Sequence, residues 1–167
     1  KGGGPAAGTY SRSDHGEMIG SLALEACRAD AVVVGEDLGT VEPWVRTFLA
    51  ERGILGTSIL WFEMDHDGGG GPLAAERWRE WCLASVTTHD LPPSAGSLAG
   101  DHVRLRDSLG LLTRSVEEEL AVDTVERQAW LDELRRVGLL SADGADVEGT
   151  VQALHAYLAR TPSRLRC

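Results

Sequence analysis

Residues 32–39 read V-V-V-G-E-D-L-G, and with S-V-T-T-H-D-L-P-P at 85–93 they decide the fold class. The run 31–34 is short, apolar and β-branched without alternation. That pattern fits a strand buried on both faces of a parallel sheet. Gly35 then allows close backbone approach, and Glu36 stands just beyond the strand. In parallel α/β sheets the functional groups lie past the carboxyl ends of the strands. The run 82–87 (C-L-A-S-V-T) repeats the arrangement and leads to Asp90, and 57–62 (T-S-I-L-W-F) is a third strand between them.

Helical patterns separate these strands. Asp14 caps a helix over 14–29, with Glu17 placed as in a capping box. A second helix spans 40–52, with Pro43 in its first turn and Gly53 past its end. A third covers 74–81. Helix and strand in alternation point to βα units and a parallel sheet. After Pro93 the pattern becomes all-helical: 101–109, 116–136 and 151–160, with a polar link over 138–149. Two regions follow, an α/β catalytic part at 1–100 and a helical segment at 101–167.

The 167 residues fit one ordinary domain with a sizeable core. A net charge of −10 opposes binding to nucleic acid or to an anionic membrane. No run reaches the ~20 apolar residues of a membrane span, and no signal peptide opens the chain. The three cysteines, Cys27, Cys82 and Cys167, fit neither a zinc site nor a disulfide framework. Cys27 and Cys82 read as small buried hydrophobes, and a reducing cytoplasm is the natural compartment. The chain opens on a glycine loop with no initiator Met and ends without a helix cap, which fits a piece of a longer protein.

Glu36 and Asp90 are the candidate catalytic pair. Two carboxylates on one rim suit glycosidic bond chemistry, which needs a proton donor and a charge that favours a cationic transition state. Read alone, Glu36-Asp37 equally fits a capping pair on a βα loop, and T-T-H-D fits a turn in which Asp90 bonds backbone. Asp37 should point away from Glu36 and act as a structural hydrogen-bond acceptor. Leu91-Pro92-Pro93 stops any helix and stiffens the loop that carries Asp90. His89 beside it is a polar partner or a structural histidine. Trp61 and Phe62 could form an aromatic platform for sugar rings, with one of the two facing the core. Trp44, Trp78, Trp81 and Trp130 read as core or interface anchors within helices. The acidic loop Glu63, Asp65, His66, Asp67 matches no calcium or zinc spacing. The tetraglycine 68–71 reads as a flexible stretch.

G-E-D-L-G, followed by S-I-L-W-F-E and then T-T-H-D-L-P, resembles the 4-α-glucanotransferases (amylomaltases) of glycoside hydrolase family 77, in an actinobacterial style. The resemblance runs from G-T-Y at 8–10 to A-R-T-P-S-R-L at 159–165. It implies a (β/α)8 TIM barrel, of which this chain holds strands five to seven and an all-helical insertion before strand eight. It further implies that Glu36 is the general acid/base, that Asp90 stabilises the transition state, and that His89 contacts sugar hydroxyls. The family's nucleophile is an Asp in an R-x-D-H-type motif on strand four. Asp14-His15 opens a helix and does not match it, so the nucleophile is expected upstream of Lys1. Residues 12–13 and 94–97 differ from the family around loops, and 165–167 leaves its pattern where strand eight should begin.

The implied reaction is retaining transfer of α-1,4-glucan segments to the 4-hydroxyl of another glucan or glucose, with no metal or organic cofactor. A chain lacking the nucleophile is expected to be inactive alone. The alternatives are an α-glucan hydrolase of a related barrel family and a non-catalytic, truncated remnant.

Overall fold

The computed structural model describes residue 8 and residues 13–144 and 146–167. Helix α1 runs His15–Ala29, and the Asp14 carboxylate accepts the Glu17 N–H at 3.3 Å, as its capping spacing predicts. Helix α2 runs Pro43–Ala50 with its proline in the first turn. Strands β1 (Gly56–Ile59), β2 (Cys82–Ser85) and β3 (Leu165–Arg166) form one parallel sheet in the order β1-β2-β3. Gly56 pairs with Cys82 and Ile59 with Ser85. Val34 adds a single parallel bridge to Leu55, just ahead of β1. The chain is therefore mixed α/β around a small parallel sheet.

Several segments depart from the sequence expectation. The run 31–34 is no strand buried on both faces: it makes one bridge, and Val32 is 68% exposed. No described element packs over the outward side of Val32, so that face stays in solvent. The strand foreseen at 57–62 stops at Ile59 and tightens into a 3₁₀ turn, Leu60–Phe62. The helix expected over 74–81 is only a 3₁₀ turn, Ala75–Arg77, after which Trp78 is extended. Trp78 and Trp81 therefore do not lie in a helix. Helix α3 (Ser94–Ala99), which the sequence reading omits, begins directly after Pro93. The two prolines that end one segment supply the fixed φ that suits the start of another.

The helical half follows the periodicity more closely. Helix α4 spans Asp101–Ser108, and α5 spans Val116–Arg136 behind a complete Ser115/Glu118 capping box. Helix α6, Val147–Leu158, begins earlier than expected because Asp146 caps it, accepting the Gly149 N–H at 2.8 Å. Although 165–167 departs from the family sequence pattern, its backbone pairs with β2 at Leu83 and Ala84. Parallel pairing uses main-chain groups, which side-chain changes leave in place.

The core lies between the sheet and helices α5 and α6. Leu60, Ala84 and Val86 meet Trp130, Leu134, Leu154, Tyr157 and Leu158 there. Trp130 packs edge-on to Tyr157 with ring centroids 5.5 Å apart, and Trp78 does so at 6.5 Å. The Trp78 indole donates to the Leu73 carbonyl at 3.1 Å, and the Tyr157 hydroxyl lies 2.9 Å from the same oxygen. Trp78 and Trp130 are thus core anchors. Trp44 and Trp81 are exposed, Trp44 against His15 and Phe48 and Trp81 beneath Arg164.

Cys82 is buried as expected, but Cys27 is exposed, because α1 buries no residue against the rest of the described chain. Only the side of α1 that carries His15, Ile19, Ala23 and Ala26 is half-buried, with His15 against Trp44 and Phe48 of α2. The tetraglycine closes a turn rather than a loose stretch: Gly69 and Gly70 have φ of 120° and 80°, which only glycine adopts at ease. Among the described residues no helix is long and apolar enough to cross a membrane.

Candidate active site

The site is built from backbone outward. Leu55 receives the Gly35 N–H at 2.7 Å and donates to the Val33 carbonyl at 3.0 Å. Thr57 Oγ1 donates to the Gly35 carbonyl at 3.3 Å. The residue before Glu36 is therefore tied to the segment leading into β1. The residue after it is tied more firmly. Asp37 is 2% exposed, accepts the Thr57 N–H at 2.9 Å, and takes two bonds from Arg79 at 2.6 and 3.1 Å. Arg46 Nε lies 3.4 Å away. Burial pushes the Asp37 pKa upward, but the Arg79 hydrogen bonds, the Thr57 N–H and the charges of Arg79 and Arg46 outweigh it. The net effect holds the carboxyl below the usual carboxylate range. Burial likewise opposes the charge on Arg79, and Asp37 overrides it, so the guanidinium pKa is raised.

Asp37 is thus the structural acceptor that the sequence predicts. Glu36 stands between two fixed residues with its own side chain exposed. Arg79 is not marked as the partner of Asp37 by the sequence. It sits in a segment read as helix, and nothing local marks it as the partner of a residue 42 positions away. Gly56 makes room for it: a Cβ there would stand 2.6 Å from Arg79 Nη1.

Asp90 is held by a different device. Thr88 Oγ1 accepts the Asp90 N–H at 3.3 Å, so the turn is closed by the threonine hydroxyl and not, as the sequence suggests, by the Asp90 carboxylate. Thr87 Oγ1 donates to the Pro92 carbonyl at 3.0 Å, and the Leu91 N–H reaches the Thr88 carbonyl at 3.2 Å. The prolines and these bonds fix the loop with the Asp90 side chain 72% exposed. His89 Nε2 lies 3.3 Å from Asp90 Oδ1.

Glu36, His89 and Asp90 line one cavity of about 210 Å³, together with Val34, Leu38, Thr57 and Thr88. Both carboxylates follow parallel segments on the same rim, with β1 between them. Thr57 and Thr88 are not legible as lining residues from the sequence, since isolated threonines near strand ends carry no distinctive pattern. Trp61 and Phe62 do not border this cavity. They border a larger one, of about 780 Å³, which His89 and Asp90 also line. Trp61 is half-buried and packs edge-on to Trp130 at 6.4 Å, while Phe62 is exposed; in the 3₁₀ turn both still reach the larger cavity, so the strand alternation expected of them does not apply. In the acidic loop, Asp65 is paired with Arg77 and closes a turn with its glycines. Among the described residues no group of three His, Cys, Asp or Glu side chains is placed to hold a metal ion.

Relatives share this arrangement of segments. The family model described as 4-alpha-glucanotransferase (glycoside hydrolase 77) matches residues 3–167. A Mycobacterium tuberculosis protein named 4-alpha-glucanotransferase is 70% identical over 165 residues, covering 96% of this chain and 23% of its own length. A Haemophilus influenzae protein of the same name is 30% identical over 161 residues, with coverage of 96% and 22%. The crystal structure of amylomaltase from Corynebacterium glutamicum superposes with a TM-score of 0.86 at 47% identity, covering 98% of this chain and 24% of that one. The chain spans about a quarter of the length of these relatives. On the extent of the family match and the agreement of the fold, the chain belongs to the 4-alpha-glucanotransferase family, glycoside hydrolase family 77.

Proposed function

We propose that this chain is the acid/base part of a 4-α-glucanotransferase that moves α-1,4-glucan segments to the 4-hydroxyl of a second glucan or of glucose. The carrying observation is the rim shared by Glu36 and Asp90, in a chain of this family. The parallel segments at Val34, β1 and β2 are read as strands five, six and seven of a (β/α)8 barrel, and residues 101–167 as the helical segment leading into strand eight. Active sites in such barrels sit at the carboxyl ends of the strands, which is where Glu36 and Asp90 stand.

The chemistry divides between the carboxylates. An aspartate from the segment preceding this one attacks the anomeric carbon, and the bond from that carbon to the leaving oxygen breaks. Glu36 gives its proton to that oxygen. An acceptor glucan then enters and passes its 4-hydroxyl proton back to Glu36. Its oxygen forms the new bond to the anomeric carbon as the aspartyl ester breaks. Asp90 stays ionised, and with His89 it holds sugar hydroxyls more tightly in the transition state than in the ground state. No step needs a metal or an organic cofactor.

Structural support for the role of Glu36 lies in its mount: both neighbours are tied to β1 or its approach, so the exposed carboxylate is preorganised without being consumed by an ion pair. Phe62 is available as a stacking surface beside the site. The neutral substrate suits an acidic chain that would repel nucleic acid, and exposed thiols at Cys27 and Cys167 suit a reducing cytoplasm.

The test uses the full-length protein with maltotriose. Transfer yields glucose and longer glucans at a constant number of reducing ends, whereas hydrolysis raises that number. Glu36→Gln should lower turnover by about 10³-fold or more, as loss of a group that serves both half-reactions predicts. Near-normal turnover in that variant would refute the assignment.

A further inference from the structure

Arg79 holds both of the segments between which Glu36 stands. Its guanidinium gives Asp37 two bonds, at 2.6 and 3.1 Å, and gives the Thr57 carbonyl a third, at 2.5 Å. Asp37 directly follows Glu36, and Thr57 lines the same cavity as Glu36. Asp37 in turn accepts the Thr57 N–H at 2.9 Å, and Thr57 Oγ1 donates to the Gly35 carbonyl at 3.3 Å. The residues before and after Glu36 are therefore both tied to Thr57, and one guanidinium locks the tie. The backbone of Arg79 is fixed independently. Buried Ser163 donates to its carbonyl at 3.0 Å, and Cys82 Sγ lies 3.1 Å from the same oxygen.

Two features separate this arrangement from an ordinary stabilising ion pair. The first is Gly56, where a Cβ would stand 2.6–2.8 Å from the guanidinium, so β1 begins with a slot cut for Arg79. The second is Glu36 itself. Its carboxylate is exposed, with no ion pair among the described residues, so the main chain on either side sets where it stands. A proton donor must be held within about 0.5 Å of its productive place to act at full rate. Arg46 on α2 adds a weaker hold from a half-exposed side chain. Its Nε lies 3.4 Å from Asp37 Oδ2, and its Nη2 donates to the Asp37 carbonyl at 3.3 Å.

We propose that Arg79 is a positioning residue for proton transfer: through Asp37 and Thr57 it sets the place of the Glu36 carboxylate, and so governs protonation of the leaving oxygen. The inference rests on the transferase reading above and adds to it a residue that borders neither cavity. The planar fork of arginine is what the role requires, since its separate N–H groups reach Asp37 and the Thr57 carbonyl together. A lysine ammonium keeps the charge but not that span.

The experiment compares two donors in the full-length protein, with maltose as the common acceptor and released glucose or fluoride as the readout. The leaving oxygen of maltotriose needs a proton, whereas the fluoride of α-maltosyl fluoride departs with its electron pair and needs none. Loss of folded protein lowers kcat/KM for both donors alike, while a displaced Glu36 lowers it for maltotriose only. The ratio of kcat/KM for maltotriose to that for the fluoride should fall about tenfold in Arg79→Lys and about 10²-fold in Arg79→Met, the scale of a misplacement of about 1 Å. Arg46→Met, at a half-exposed side chain, should lower the ratio about two- to threefold, the scale of an exposed ion pair. Glu36→Gln should lower it further than any of these. A ratio lowered in Glu36→Gln but unchanged in the Arg79 variants overturns the positioning role and leaves the transferase reading standing. If neither Arg79 variant folds, an unchanged ratio in Arg46→Met overturns it equally. A ratio unchanged in Glu36→Gln overturns the acid/base reading, and the positioning role with it.

Discussion

Glu36 and Asp37 are neighbours in sequence with opposite surroundings. One carboxylate is exposed with no ion pair among the described residues, and the other is buried against Arg79. The alternation of side-chain direction along an extended backbone separates them, and that much is legible from the sequence. The arginine is not, because its approach depends on the absence of a Cβ at Gly56. Asp37→Asn should cost about 3 kcal/mol, toward the low end for breaking a buried pair because Arg79 keeps some contact with water. The Asp37 pKa is depressed on folding, so its contribution is complete above the ordinary value of 3.8 and is lost as pH falls through the lower folded value. Unfolding of the full-length protein should therefore show a gap between wild type and Asp37→Asn that is widest above about pH 4 and narrows as the pH is lowered further. A gap of constant size would show that the charge of Asp37 is not what stabilises the loop. Gly56→Ala should shift the Arg79 side chain and reproduce part of the same loss.

At the scale of elements, the clearest agreement between sequence and structure is α5. The Ser115 hydroxyl accepts the Glu118 N–H at 3.2 Å, and the Glu118 carboxylate accepts the Ser115 N–H at 3.0 Å. Both bonds are local and satisfy donors that the first helical turn would otherwise leave open. Ser115→Ala should therefore lower stability by about 1 kcal/mol, read as a lower denaturant midpoint at unchanged slope. At the other end of the chain, Asp30 closes α1 with φ of 50°. Asp30→Gly should raise stability by about 0.5–1 kcal/mol, since glycine adopts this conformation without a steric penalty. A fall in stability would show that the Asp30 side chain contributes more than its strain costs. The failed helix at 74–81 shows the limit of local reading. Trp78 must enter the core and Arg79 must reach Asp37, and an extended Trp78 backbone serves both. Tertiary contacts override a propensity difference of a few tenths of a kcal/mol per residue.

For the whole molecule, the sheet is small and most of the regular structure among the described residues is helical. On α1, Met18, Leu22 and Leu24 stay exposed. Residues 1–167 hold two of the three carboxylates that the proposed reaction uses. Purified alone, this chain should convert no maltotriose at a rate above background, while the full-length protein does. Detectable glucose release together with longer glucans from the isolated chain would mean that a residue within it acts as the nucleophile. Asp14 is a poor candidate, because it is spent on capping α1.

What the sequence determined by itself is what depends on short-range physics. The cap at Asp14, the span of α5, the parallel sheet and the structural duty of Asp37 all follow from residues a few positions apart. The tertiary structure alone decided where distant groups meet. Arg79 joins Asp37 across the sheet edge, His102 joins Asp123 between helices, and His89 with Asp90 becomes the wall common to two cavities. Such meetings depend on packing and on space left by missing atoms, as at Gly56, and no spacing rule along the chain encodes them.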